Sequence, residues 1–252
     1  MCTLVILRRP DHRWPVLIGA NRDEMIDRPS KPPGRHWPDR PEVVAGLDVL
    51  AGGSWLGIND WGVAAAVLNR HGSLGPTPDR RSRGELVLEA LDHADAVEAA
   101  RALRHLEPGA YRPFNMIVAD NRDAFWLRHA DPTGTIGLAV KPIGEGLSML
   151  TAGELDDPEA SRIRRYRPRF AKAKPPDPDR NDFAAWAALL ESQDAAPEDG
   201  PTGAMRFRTE TGFGTVSSSL LALAQPGHGK RRWRFRFAAW SPAVDPWREV
   251  QP

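Results

Sequence analysis

The chain has 252 residues, 34 of them basic and 33 acidic, for a net charge of +1. So even a balance excludes a global field that would draw the chain onto nucleic acid or an anionic lipid surface. Hydrophobic residues make up 41% of the sequence, enough to bury a sizeable core, and the expectation is a single domain over residues 1–252. CTLVILRR is a compact, apolar, β-branched run, and WPVLIGAN follows it after the polar turn PDHR. SWLGIND and GVAAAVLNR flank the turn-like Asp60, Trp61 and Gly62, so this part of the chain reads as consecutive antiparallel hairpins. The period changes in SRGELVLEALDHADAVEAARALRHL, where Leu86, Leu88, Ala90 and Leu91, then Val97, Ala100, Leu103 and Leu106 recur at helical spacing. Ser82 and Glu85 have the spacing of a capping box at its start.

FNMIVAD and AFWLRHA read as two strands joined by NRD, and GLSMLTAG as another. A second helical stretch begins near Pro158 and is expected to fade at Pro168, and NDFAAWAALLESQ supplies a third. DAAPEDGPTGAM is rich in Pro and Gly and reads as a loop. GTVSSSLLALAQ and KRRWRFRFAAW make a hairpin across PGHG; in its second arm Arg232, Arg234 and Arg236 alternate with Trp233, Phe235 and Phe237, the pattern of a strand with one buried and one wet face. Trp37, Trp55 and Trp61 could line an apolar pocket or fill the core.

The only cysteine stands at position 2. Initiator methionine is trimmed when a small residue follows it, so the mature chain is expected to begin at Cys2 and carry a thiol and a free α-amine on one residue. An α-amine titrates at about 7.7–8.0 and a free thiol near about 8.5, so the amine can take the thiol's proton. The alternative is a small buried residue of the first strand. Residues 2–7 are too short an apolar run for a signal peptide, with Arg8 and Arg9 after rather than before them, and no run approaches a membrane span. A cytoplasmic protein without membrane insertion is expected. The seven histidines show no pair at metal-ligand spacing, so no metal and no cofactor is expected.

ANRDE at residues 20–24, following the opening MC and two strands, with Arg28-Pro29 close behind, resembles the NRDE family, also called the transport and Golgi organization protein 2 family. Gly46-Leu47-Asp48, Gly53-Ser54-Trp55-Leu56-Gly57, Asn69, Arg83-Gly84-Glu85-Leu86 and Phe114-Asn115 extend the resemblance over most of the chain. That family is in turn similar, more distantly, to the N-terminal nucleophile hydrolases of the cysteine branch. The resemblance implies an α+β fold, a four-layer αββα sandwich of two antiparallel sheets. It implies Cys2 as nucleophile, Asp23 holding the amine and Asn69 as an oxyanion donor, with Asn21, Arg22, Glu24 and Arg28 lining the site. Arg22 beside the sulfur would lower the thiol pKa.

The chain departs from the hydrolase pattern at two places, with Ala20 where an Arg is usual, on the same strand face as Arg22, and Thr151, Ala152 and Gly153 where a second Asn is expected; it departs from the NRDE pattern at Val216, where relatives tend to carry Arg. The leading function is cysteine-dependent hydrolysis of a linear, non-peptide amide, a small-molecule substrate. The alternative is a non-catalytic carrier or trafficking protein on the same fold, for haem or a lipid-like ligand.

Overall fold

The computed structural model describes residues 2–228, 232–241 and 244–251. Met1, on which the processing expectation rests, lies outside them, as do the first two residues of KRRWRFRF. In chain order the strands are β1 (Thr3–Arg8), β2 (Val16–Met25), β3 (Ser30–Gly34), β4 (Val43–Asp48), β5 (Leu56–Asn59), β6 (Ala64–Asn69), β7 (Phe114–Ala119), β8 (Ala124–His129), β9 (Ala139–Pro142), β10 (Gly146–Leu150), β11 (Phe213–Leu223), β12 (Trp233–Ala239) and β13 (Asp245–Glu249). The helices are α1 (Gly84–Leu91), α2 (Ala96–Leu103), α3 (Ser161–Lys172) and α4 (Ala184–Leu190). The class is α+β, with two antiparallel sheets and two helices to each, as expected from the sequence.

One unit comprises residues 1–28 and 145–250 and is built on a sheet ordered β10-β1-β2-β11-β12-β13. Strand alternation sends Val5, Leu17, Leu220 and Ala222 to one face, where they pack with Ile163, Tyr166 and Phe170 of α3 and Trp186 and Leu190 of α4. The alternation read in KRRWRFRF holds, for Trp233, Phe235 and Phe237 are buried between half-buried arginines. β2 and β11 pair over nearly their whole length, with the register broken by an irregularity between Thr215 and Ser217. That break sets the direction of Thr215, which matters below.

The other unit, essentially residues 29–144, has the order β3-β4-β5-β6-β7-β8-β9. Its core joins Leu86, Leu91, Ala99 and Leu103 to Ala65, Met116, Val118 and Leu127. β3 was not legible in SKPPG because of its two prolines, but it is an edge strand, where proline costs no central ladder bond. GSWLG and RGEL meet in this unit: Ser54 N–H donates to Gly84 O at 3.0 Å, and a Cβ on Gly53 would lie 2.5 Å from the Gly84 carbonyl carbon. Trp55 packs over Gly46 and Trp37 against the core, the packing alternative for these two, while Trp61 is exposed.

Three local expectations are corrected. The stretch 82–106 is two helices, because Asp95 accepts from Glu98 N–H to start α2 and Asn59 captures the carbonyls of Leu91 and His93 at the end of α1. Ser82 makes no capping box: Arg83 is the N-cap residue, and Glu85 is taken by Tyr111 and Arg81. α3 runs through Pro168 to Lys172, since Pro168 is exposed and Phe170 anchors the last turn in the core.

Candidate active site

β1 and β2 pair from Thr3↔Asn21 onward, so Cys2, one residue before β1, is delivered beside Arg22 and Asp23. The Asp23 N–H donates to Cys2 Sγ at 3.4 Å, and Sγ lies 3.6 Å from Asp23 O in donating geometry. The sulfur thus sits against the Asp23 backbone, partly buried. Burial pushes the thiol pKa up from its ordinary value and the Asp23 charge adds to that, while the Asp23 backbone and Arg22 pull more weakly the other way. Arg22 therefore acts in the expected direction but does not decide the outcome.

Alternation along β2 divides ANRDE between the two faces of the sheet. Asn21 and Asp23 point to the face that carries α3 and α4. Asn21 donates to Leu190 O at 2.9 Å and Met205 O at 2.8 Å and accepts from Ser218 Oγ at 2.6 Å, which pins β2 to the end of α4 and to β11. Asp23 Oδ2 accepts from Arg162 Nη1 at 2.7 Å, and Oδ1 from Thr215 Oγ1 at 2.7 Å. The same Arg162 nitrogen reaches Thr3 Oγ1 at 2.8 Å, so the cation ties β1, β2 and α3 together. Arg162 also donates to Thr202 O at 3.0 Å and stacks over Phe207 at 4.9 Å.

Arg22 and Glu24 share the opposite face. Glu24 Oε2 lies 3.9 Å from Arg22 Nη2 and 3.8 Å from Arg28 Nε, a three-residue charge chain at the end of β2. Glu24 Oε1 also accepts from Met25 N–H at 2.9 Å, steadying the strand exit. Asn69 belongs to the other unit. It ends β6 opposite Phe114, and Phe114 packs in the core beside α1 and α2.

Arg162 and Thr215 were missed from the sequence. α3 carries its arginines in a run, but Arg162, Tyr166 and Phe170 recur at a spacing of four and all three are buried, so Arg162 continues the apolar stripe. A cation on the buried stripe is the signal that it has a buried anion to meet. Thr215 had no such signal, because its aim depends on the irregularity before Ser217. Among the described residues no group of three or more His, Cys, Asp or Glu could hold a metal ion, and no helix is long and apolar enough to cross a membrane.

The sequence matches the family described as Transport and Golgi organisation 2 over residues 1–228. A curated relative, the Transport and Golgi organization 2 homolog of Mus musculus, is 39% identical over 114 residues, 42% of this chain and 38% of that protein, so the match spans well under half of either. Among solved structures, the Caenorhabditis elegans ortholog of N-acylethanolamine-hydrolyzing acid amidase superposes with a TM-score of 0.57 at 15% identity, covering 90% of this chain and 95% of that one. Penicillin V acylase from Agrobacterium tumefaciens does so with a TM-score of 0.58 at 15% identity, covering 99% and 86%. At such identities the likeness establishes the fold, that of the N-terminal nucleophile hydrolases.

Proposed function

The chain belongs to the Transport and Golgi organisation 2 family, and from that membership and its fold we propose that it is a cysteine-dependent hydrolase of a linear, non-peptide amide, with Cys2 as nucleophile once Met1 is removed. The observation that supports this most is the seat of the thiol. Cys2 Sγ rests on the backbone of Asp23, and the Asp23 carboxylate is fixed in a fully buried position by Arg162 and Thr215. A carboxylate accepts about four hydrogen bonds, so its chemistry allows an amine on Cys2 as a further donor. The two solved neighbours carry names that describe hydrolysis or acyl removal from amides, which agrees with the reading without assigning it.

The chemistry follows from these placements. The α-amine of Cys2 takes the thiol proton as sulfur attacks the amide carbonyl carbon, and the carbonyl oxygen becomes an oxyanion. Asp23 holds the resulting ammonium, as a buried carboxylate does for a positioned base. The ammonium returns its proton to the leaving amine as the carbon–nitrogen bond breaks, leaving a thioester on Cys2. Water, deprotonated by the same amine, attacks the thioester carbon; the carbon–sulfur bond breaks to release the carboxylic acid, and the ammonium returns the proton to the Cys2 sulfur, restoring thiol and amine. The amine serves as the coupled base that draws the proton from sulfur in the same step as attack. The oxyanion role of Asn69 rests on the family resemblance and is tested separately: Asn69→Ala should cost about 10²–10³ in kcat if it holds, and no loss would leave the nucleophile in place and the donor to be sought elsewhere.

The test is turnover of linear N-acyl amides by wild type, Cys2→Ala, Cys2→Ser and Asp23→Asn. Cys2→Ala should be inactive and Cys2→Ser weak, and Asp23→Asn should lose orders of magnitude at a temperature where it is still folded, its unfolding transition cooperative but at a lower midpoint because Arg162 loses its partner. Thr215→Val, which removes one support of Asp23, should lose less. Full turnover in Cys2→Ala would end the hydrolase reading and leave the carrier.

A further inference from the structure

In the unit built on the six-stranded sheet, the end of β2, the start of β11, the end of β12 and the segment 201–208 enclose a cavity of about 400 Å³. That is the size of a small-molecule site. Its apolar wall includes Ile26, Phe207 and Trp240, its floor includes Thr215, and its charged groups are Arg206 and Arg208. No acidic side chain is among the described lining residues. The Arg206 guanidinium lies 4.8 Å from the centre of the Trp240 ring, and its Nε makes no hydrogen bond. Neither Arg206 nor Arg208 has a carboxylate partner among the described residues. The contrast with α3 is plain, for Arg162, Arg164, Arg165, Arg167 and Arg169 each meet an aspartate.

We propose that this cavity binds a small organic carboxylate with an apolar body, the carboxylate on Arg206 and Arg208 and the body against Ile26, Phe207 and Trp240. Two arginines line the cavity, the guanidinium fork matches a carboxylate, and a charge-assisted bond there meets no acidic side chain among the described lining residues. The Trp240 ring lies against the Arg206 guanidinium, a contact that orders one of the two cations before a ligand arrives. The site needs no chemistry at Cys2. It touches the candidate active site through Thr215 alone among the residues named there to hold Asp23, with one face on the cavity and its hydroxyl on the Asp23 carboxylate.

Octanoate is the probe, titrated calorimetrically into the full chain, with octylammonium as the control of equal length and opposite charge. Octanoate should saturate one site, octylammonium should give no saturable heat, and Arg208→Gln should weaken octanoate about tenfold, the loss of one charge-assisted pair. Arg208 is exposed, so that variant is expected to fold; Arg206→Gln, checked by circular dichroism, should show the same loss. Failure of octanoate to saturate, equal binding of octylammonium, or unchanged affinity in both variants would overturn the proposal. The readout is heat of binding and not turnover, so it stands or falls apart from hydrolysis at Cys2.

Discussion

Asp23 and Arg162 form an ion pair whose side chains are 0% and 5% exposed. Removing one member of a buried pair leaves the other charged and out of water, at a cost of about 3–5 kcal/mol, while removing both costs far less than the sum. Arg162→Met should therefore lower the unfolding free energy by about that amount, and Arg162→Met with Asp23→Asn should recover part of it. Urea unfolding of the two single variants and the double variant checks this, and strict additivity would mean that the pair is not coupled. The same aspartate acts on sulfur. Because its charge helps raise the Cys2 pKa, Asp23→Asn should lower that pKa and speed alkylation by iodoacetamide at neutral pH. Turnover should fall in the same variant. Opposite signs for labelling and turnover separate a role in positioning the amine from a role in activating the thiol; a variant that labels more slowly and turns over less would point to simple disruption of the site.

At the scale of elements, hydrophobic period gave helices and hairpins their places, but side-chain hydrogen bonds from distant strands decided where helices stop. Asn59 on β5 ends α1, and Asp120 beyond β7 accepts from Ala96 N–H to begin α2 at 2.9 Å. Neither of these partners lies within the helical segment; the local sign of the break was Asp95 three residues before Glu98, the cap that starts α2. The β7–β8 hairpin was legible in FNMIVAD and AFWLRHA, and it buries a titratable group. His129 is 1% exposed and its pKa is held down by burial, with a hydrogen bond to Tyr111 O and the charge of Asp131 opposing more weakly. The unfolded chain then binds a proton at higher pH than the folded one. The stability this neutral imidazole contributes is present above its ordinary value of about 6.5 and is lost as pH falls through that value toward the depressed native one. Urea midpoints should accordingly drop between pH 7.5 and pH 5, and His129→Phe should flatten that dependence. An equally steep fall in the variant would assign it to other groups.

For the molecule as a whole, the ordered set of motifs from MC to Phe114-Asn115 was enough to read the family and the class of fold, since each motif sits at a strand end or a close approach that the fold requires. The GSWLG and RGEL motifs show why: they meet at Gly53 and Gly84, a structural contact with no chemistry in it. The candidate site was legible only where the chemistry lies on one strand. Cys2 and ANRDE are neighbours through β1–β2 pairing, but the sequence could not show that burial would raise the thiol pKa or that Arg162, some 139 positions from Asp23, would hold its carboxylate. The measurement that bears most directly on a nucleophilic Cys2 is intact mass with peptide mapping, after the protein expressed in a cell is incubated with linear N-acyl amides and quenched in acid. The expected result is a chain lacking one methionine, with an acyl mass on the peptide that begins at Cys2 and none in Cys2→Ala. Quantitative retention of Met1, with no acyl adduct on Cys2 under any amide, would contradict it.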